Sequence, residues 1–402
     1  MLDPAVRARL DALLAPDDAE RDRRFPGPIG GRQPVHTIYV PADRFHAGTA
    51  GTWGAAALQA MDEHGPLPNV PEPIAARVRV KLAAEPVEDL RIDFEDGYGT
   101  RESEDADALA AAHSLADAVE AGTAPAFMGL RMKSLEGPSR ARGMRTLDLF
   151  VETLAGRGPI PNGFRVTLPK VTSVRQVEAM VVLCVALETR YGLAALRFEI
   201  QVETPQAILG PDGRALVALM ITAAEGRCAG LPYGTYDYSA SLGIAAEQQS
   251  MAHPAADHAK AIMQVAAAGT GVPVCDGSTN VLPVGDRATV QAAWRLHAGL
   301  VQRSLERGFY QGWDLHPAQL PTRYAATFGF FRSGLPAAAA RLRAYLDRQT
   351  SGVLDEPATA RALAGYLARG VDSGAVDAGE LTELIGLDPA AVRGLAGRSP
   401  AT

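Results

Sequence analysis

Eight short apolar runs, each separated from the next by a helix-length stretch, constrain this 402-residue chain more than any other feature. The runs cover 36–41, 90–94, 127–132, 164–169, 196–202, 227–233, 272–275 and 309–315. Strands that alternate with helices form βα units and a parallel sheet. Polar residues stand near the ends of successive runs: Asp93, Arg131, Lys170, Glu203, Asp237, Asp276 and His316. Their steps are 38, 39, 33, 34, 39 and 40 residues. One strand, one helix and two loops take about that length, so the repeat predicts an α/β (β/α)8 TIM barrel. A doubly wound sheet would show the same local pattern. The first step, from Asp43 to Asp93, is longer and holds the proline-rich stretch 66–73, read as an insertion.

Residues 1–34 read as one exposed helix and a Pro/Gly linker, 35–332 as the barrel, and 333–402 as a helical appendage. Within the appendage the pattern predicts short helices over 336–350, 356–370, 378–385 and 390–396. Asp355 ahead of Pro357 fits an N-cap.

Hydrophobic residues make up 47% and charged residues 21%, enough apolar surface for a sizeable core. A net charge of −7 gives no footprint for nucleic acid or an anionic membrane. The longest apolar stretch, 215–224, is far short of a bilayer span, and residues 1–24 hold no apolar signal core. Cys184, Cys228 and Cys275 are widely spaced and sit in or beside apolar runs, which reads as buried thiols in a reducing, cytoplasmic compartment. Only four lysines, Lys81, Lys133, Lys170 and Lys260, stand against 35 arginines, so imine chemistry has few candidates.

Reactive groups of such a barrel sit at the C-terminal ends of its strands. Glu203 and Asp237, on adjacent units, can share a hard cation such as Mg2+. Each can equally cap a helix or pair with an arginine. Asp93 and Glu95 are two apart and share a strand face, with Asp96 opening the loop. Three acids so close repel unless a cation or an arginine is near. Arg131 brings a planar fork suited to a carboxylate or a developing enolate oxygen, or else an ion pair with Glu95 or Asp96. Lys170 orients the carboxylates or forms an imine. His316 reads as a hydrogen-bonding scaffold, and His46 as a weaker base candidate.

The motifs YVPADR (39–44), IDFEDG (92–97), LRMKS (130–134), LPKV (168–171), QVETP (201–205), YGTYDYSASLG (233–243) and GWDLHPAQL (312–320), in this order, resemble the HpcH/HpaI aldolase and citrate lyase β-subunit superfamily. The resemblance spans about 280 residues. It implies a phosphoenolpyruvate/pyruvate-type barrel and a Mg2+-dependent carbon–carbon lyase, with Mn2+ as a substitute metal. Its substrate would be a 2-oxo acid or an acyl-CoA. By motif, Glu203 and Asp237 become metal ligands. Arg131, Glu95, Asp96 and Lys170 become the catalytic group, with Glu95 and Asp96 holding metal-bound waters. Arg131, Asp93, Tyr236 and His316 become substrate contacts. The resemblance also implies a homo-oligomer, trimer or hexamer, with C-terminal segments lying over the site. The loop GYGTRESED and the stretch 66–89 depart from the family pattern, so thioester specificity does not carry over. A metal-dependent acyl-CoA thioester hydrolase and a non-catalytic binding barrel stand as alternatives.

Overall fold

The computed structural model describes residues 3–28, 30–347 and 356–397. Its strands are β1 (His36–Pro41), β2 (Asp89–Asp93), β3 (Phe127–Arg131), β4 (Phe164–Leu168), β5 (Phe198–Ile200), β6 (Cys228–Pro232), β7 (Val274–Cys275) and β8 (Gly312–Asp314). All pair in parallel, in the order β7-β6-β5-β4-β3-β2-β1-β8. The seam between β7 and β8 is closed just beyond the strands. There Asp276 N–H donates to the Gln311 carbonyl at 2.8 Å, and Trp313 N–H donates to that of Gly277 at 3.3 Å. The expected TIM barrel is the fold found.

Strand periodicity explains the layers. On β2, Leu90 and Ile92 are buried among the surrounding helices, as are Met128 and Leu130 on β3 and Phe198 and Ile200 on β5. The alternate residues point inward, since they meet partners on non-adjacent strands. Arg91 Nη2 on β2 donates to Glu199 Oε1 on β5 at 2.8 Å, and Thr167 Oγ1 on β4 donates to Glu199 Oε2 at 2.7 Å. Arg91 also pairs with Asp89. Barrel interiors are usually filled by branched apolar side chains. This one is filled by a buried, charge-paired ladder.

The opening helix, Pro4–Arg24, buries no side chain, as its charge alternation predicts. Between β1 and β2 the chain makes two helices, Thr49–His64 and Glu72–Ala84. Residues 66–71 therefore link to a second helix, and this helix packs against the helix Leu320–Leu346.

That long helix departs from the sequence reading, which starts a helix at Pro336. It runs unbroken over 27 residues with Pro336 inside it. At 1.5 Å per residue it spans about 40 Å, enough to leave the C-terminal end of β8 and overshoot the other mouth of the barrel. The helices Pro357–Asp372 and Ala378–Ile385 pack against its far half, and Pro389–Ala396 packs on Pro357–Asp372. Arg361, Arg369 and Arg393 there share a groove with Pro28, Gly30 and Gln33 of the linker. Within one chain the C-terminal helices thus lie at the N-terminal mouth. They do not cover the strand ends where the resemblance placed them. The proposed Asp355 cap falls outside the described residues.

Candidate active site

At the C-terminal mouth the expected residues converge, in an arrangement the sequence did not specify. Arg131, ending β3, is buried and donates from Nε and Nη2 to the two Asp93 oxygens, both at 2.7 Å. Asp93 also accepts from the backbone N–H groups of Glu95 (3.0 Å) and Gly97 (2.9 Å). Its carboxylate is fully engaged inside the protein. Asp93, expected as a substrate contact, instead fixes the guanidinium and the turn that carries the acids. The planar fork of Arg131, expected to grip a substrate carboxylate, is held by Asp93. Nη1 is left, 3.4 Å from Glu95 Oε2.

Lys170 occupies the centre. Its φ of 51° puts it in the left-handed region, where a non-glycine residue is uncommon. That turn lets its N–H donate to Glu203 Oε1 at 2.7 Å while Nζ reaches out over the strand ends. Nζ lies 2.8 Å from Glu95 Oε1, 2.8 Å from Asp237 Oδ2 and 3.1 Å from Asp96 Oδ2. Burial works against its charge, but Glu203, Asp237 and Glu95 outweigh it and raise its pKa above the usual lysine value. The ammonium therefore binds three carboxylates, and the backbone N–H of the same residue ties Glu203 to them.

Glu203 follows β5 and is buried. Burial pushes its carboxyl up to about 8, against the pull of Lys170 and Arg131. Its other oxygen accepts from Gln201 Nε2. Gly234 makes this approach possible, since a Cβ there would come within 2.4 Å of Glu203 Cβ. Burial likewise raises Glu95. Asp237 lies in the short helix Thr235–Ser241 after β6, its side chain partly exposed at the rim.

The remaining expectations are placed as follows. Tyr236 accepts from Asn280 N–H at 2.5 Å and so ties the β6 turn to the loop after β7. His316 uses Nδ1 to accept from Ala318 N–H at 3.2 Å, capping the turn Pro317–Gln319. His46 makes a similar cap with Gly48 N–H. Lys133 braces the β2 loop through the Phe94 and Gly99 carbonyls and Glu104. Asp276 is not at the site; it is buried against Lys260 at 2.8 Å.

Three interior residues escaped the sequence reading. The Tyr39 ring lies 4.8 Å from the Arg131 guanidinium and 4.4 Å from the Trp313 ring. Tyr39 Oη, Trp313 Nε1 and Gln201 Oε1 are buried without a hydrogen-bond partner among the described residues. Buried polar atoms are almost always satisfied, so these three mark a place for a polar guest. The signal available was their presence inside the motifs YVPADR, GWDLHP and QVETP.

The donor set at this mouth is entirely carboxylate oxygen, which suits Mg2+. Among the described residues no three His, Cys, Asp or Glu side chains close a metal cage by themselves. Mg2+ ordinarily takes one or two carboxylates and completes its shell with water and substrate oxygens, so a Glu203–Asp237 pair fits it. Nor is any helix among the described residues long and apolar enough to cross a membrane.

Comparison with known proteins supports the fold. A citrate lyase from Burkholderia xenovorans LB400 aligns with a TM-score of 0.61 at 19% identity, covering 89% of this chain and 97% of that one. The protein CitE from Mycobacterium tuberculosis, in complex with magnesium, acetoacetate and coenzyme A, aligns with a TM-score of 0.50 at 19% identity, covering 86% and 100%. A search of curated proteins found no match. The model of a domain of unknown function, DUF6986, matches residues 14–399, and the chain belongs to that family.

Proposed function

We propose that this chain is a Mg2+-dependent carbon–carbon lyase of the citrate lyase β type. It would cleave or form a bond next to the carbonyl of a 2-oxo acid or an acyl-CoA. The observation that carries the reading is the cluster itself: Glu203, Asp237, Glu95 and Asp96 gathered around Lys170, beside buried Arg131, at the C-terminal mouth of the barrel. The similar folds of a citrate lyase and of a CitE protein seen with magnesium, acetoacetate and coenzyme A point the same way.

Glu203 and Asp237 would hold the ion, and Glu95 and Asp96 its waters. When bound, the ion would polarise a substrate carbonyl and lower the cost of negative charge on the departing fragment. Arg131, aimed by Asp93, would present Nη1 to that developing charge as a preorganised donor. Tyr39 Oη and Trp313 Nε1 would meet polar atoms of the bound substrate. Lys170 would stay protonated and hold the acids in register. Imine formation needs a neutral amine, which four neighbouring carboxylates disfavour.

A panel of 2-oxo acids, hydroxy acids and their CoA esters, assayed with Mg2+, tests the reading. Release of a free oxo acid such as pyruvate is expected, and chelation should abolish it. Full turnover after exhaustive chelation would reject the metal, and thioester hydrolysis without carbon–carbon cleavage would reject the lyase. Borohydride added with pyruvate is expected to leave Lys170 unmodified.

A further inference from the structure

The opposite mouth of the barrel holds a cavity of about 1090 Å3. It is bounded by the starts of the strands, including Asp89, Phe127, Arg165 and Cys228, and by the linker, which crosses the mouth as a strap. Gly27 N–H pins the strap to the Gly269 carbonyl at 2.9 Å. Arg32 pins it again through Glu85 (2.9 Å) and Glu88 (2.7 Å).

Six arginines line this cavity against three carboxylates, Asp89, Glu199 and Glu225, so its walls are net cationic. Four of the six are committed. Arg91 is paired with Asp89 and Glu199, Arg32 with Glu85 and Glu88, and Arg23 and Arg24 with Glu20. Arg165 and Arg197 are not. Arg165 Nη1 donates to the Asn162 and Phe164 carbonyls, both at 2.7 Å, and Arg197 Nη2 donates to that of Cys228 at 3.1 Å. Neither forms an ion pair among the described residues. Burial and the charge of Arg197 push Arg165 down to about 10. Two partly buried guanidinium groups that repel each other are costly to a folded chain. Phosphate or carboxylate groups would offset that cost through bidentate, charge-assisted bonds. Phe25, Pro26, Phe127 and Pro273 supply apolar wall, and the volume falls near the upper end for organic ligands.

We propose that this cavity is a second binding site, for an anionic metabolite of nucleotide size whose phosphate or carboxylate groups lie between Arg165 and Arg197. The site is separate from the carboxylate cluster and does not depend on the lyase reading. It takes ligands of the opposite charge to the ion expected there.

Titration calorimetry on the full chain, without Mg2+, with ATP and with citrate tests it. At least one of the two is expected to bind with a Kd below about 1 mM. ATP alone would make the preferred anion a phosphate; citrate alone, a carboxylate. Arg165→Gln and Arg197→Gln should each weaken binding about tenfold or more, whereas Glu203→Gln, at the other mouth, should leave it unchanged. Melting without ligand should show both arginine variants as stable as the parent, because each removes a repulsion. If glutamine at either position unfolds the chain, Arg197→Lys keeps the charge and loses the fork, and about a threefold loss is expected. No binding of either compound to the parent, or parental affinity in the arginine variants, would overturn the proposal.

Discussion

The two mouths of this barrel hold their charges in opposite ways. At the C-terminal mouth Arg131 and Lys170 are outnumbered by Asp93, Glu95, Asp96, Glu203 and Asp237, and every cation is saturated. At the N-terminal mouth Arg165 and Arg197 form no ion pair among the described residues and bond backbone carbonyls instead. Between them lies a buried layer in which Arg91 is shared by Asp89 and Glu199. One end is thus built to accept added positive charge and the other added negative charge. Strand direction sets this difference: acids follow β2, β5 and β6, whereas arginines stand at or just before the starts of β4 and β5.

Removing an acid from the saturated mouth gives the sharpest test of that contrast. Glu203→Gln is expected to cost about a thousandfold in turnover, or ~4 kcal/mol, together with Mg2+ affinity. The fold without metal should survive, since burial already drives this carboxyl toward its neutral form, up to about 8. Calorimetric Mg2+ titration beside a thermal melt separates the two effects, and unchanged Mg2+ binding would remove Glu203 as a ligand. Arg131→Lys comes next. A lysine cannot reproduce the two parallel bonds to Asp93, so kcat/KM should fall by ~2–4 kcal/mol and the melting temperature should fall with it. Asp93→Asn should lower kcat more than it raises KM, because Asp93 acts through the aim of Arg131 and the turn that carries Glu95 and Asp96. Parental kinetics in both variants would leave Arg131 a purely structural ion.

A third region shows what charge does where neither mouth is involved. His36, on β1, is fully buried beside Asp314, which Arg323 and His297 already hold. Burial depresses His36 from 6.5 to about 4, against the pull of Asp314 and Glu88, and His297 is lowered as well. The folded state therefore keeps His36 neutral where the unfolded chain would protonate it. The stability this gives is complete above pH 6.5 and is lost as pH falls toward 4, by at most ~3 kcal/mol. Denaturant melts between pH 7 and 4.5 should show the loss. His36→Gln, which can still accept from Glu88 N–H, should flatten part of the slope.

How much of this was legible in the sequence depends on what each residue's neighbours decide. The barrel was, because a strand's period and a unit's length are local properties: Leu90 and Ile92 alternate with Asp89, Arg91 and Asp93 whatever surrounds them. The convergence of Arg131, Lys170, Glu203 and Asp237 was legible too, given strand direction. The pairing among them was not. Arg131 has Asp93 and Glu95 in reach, and only backbone geometry at the β2 turn gives its fork to Asp93. Pro336 misled for a different reason. Proline removes a helix bond and suits a first turn, which is how its neighbourhood reads. The helix continues because Phe331, Leu335, Ala338, Ala339 and Leu342 are buried along it. Tyr366 also donates its hydroxyl to the Phe330 and Phe331 carbonyls, at 2.6 and 3.0 Å, just before the proline. A Cβ at Gly334 would come within 2.3 Å of that hydroxyl. The position of the whole C-terminal region thus turns on a tertiary contact that no local pattern records.

The smallest expected effects make the most direct comparison of the two mouths, since they take one cation from each. Lys170→Met leaves Glu95, Asp96, Glu203 and Asp237 facing one another without their shared ammonium. Part of that repulsion is relieved by water, because the Lys170 side chain is 28% exposed and Asp237 lies at the rim. The metal-free protein should therefore lose ~1–2 kcal/mol, less than for a fully buried pair. Added Mg2+ should restore some of the loss if the remaining carboxylates take the ion in place of the amine. Arg197→Gln removes a cation whose neighbour Arg165 opposes it, and its one bond to the Cys228 carbonyl can be remade by the amide. Its effect should lie within ~0.5 kcal/mol of zero, on the stabilising side. Opposite signs in the two melts would establish that the acids at one mouth need their cations for stability while the arginines at the other are held in spite of it. A destabilised Arg197→Gln, by as much as Lys170→Met, would mean that the N-terminal arginines are structural after all and that the two ends differ only in composition.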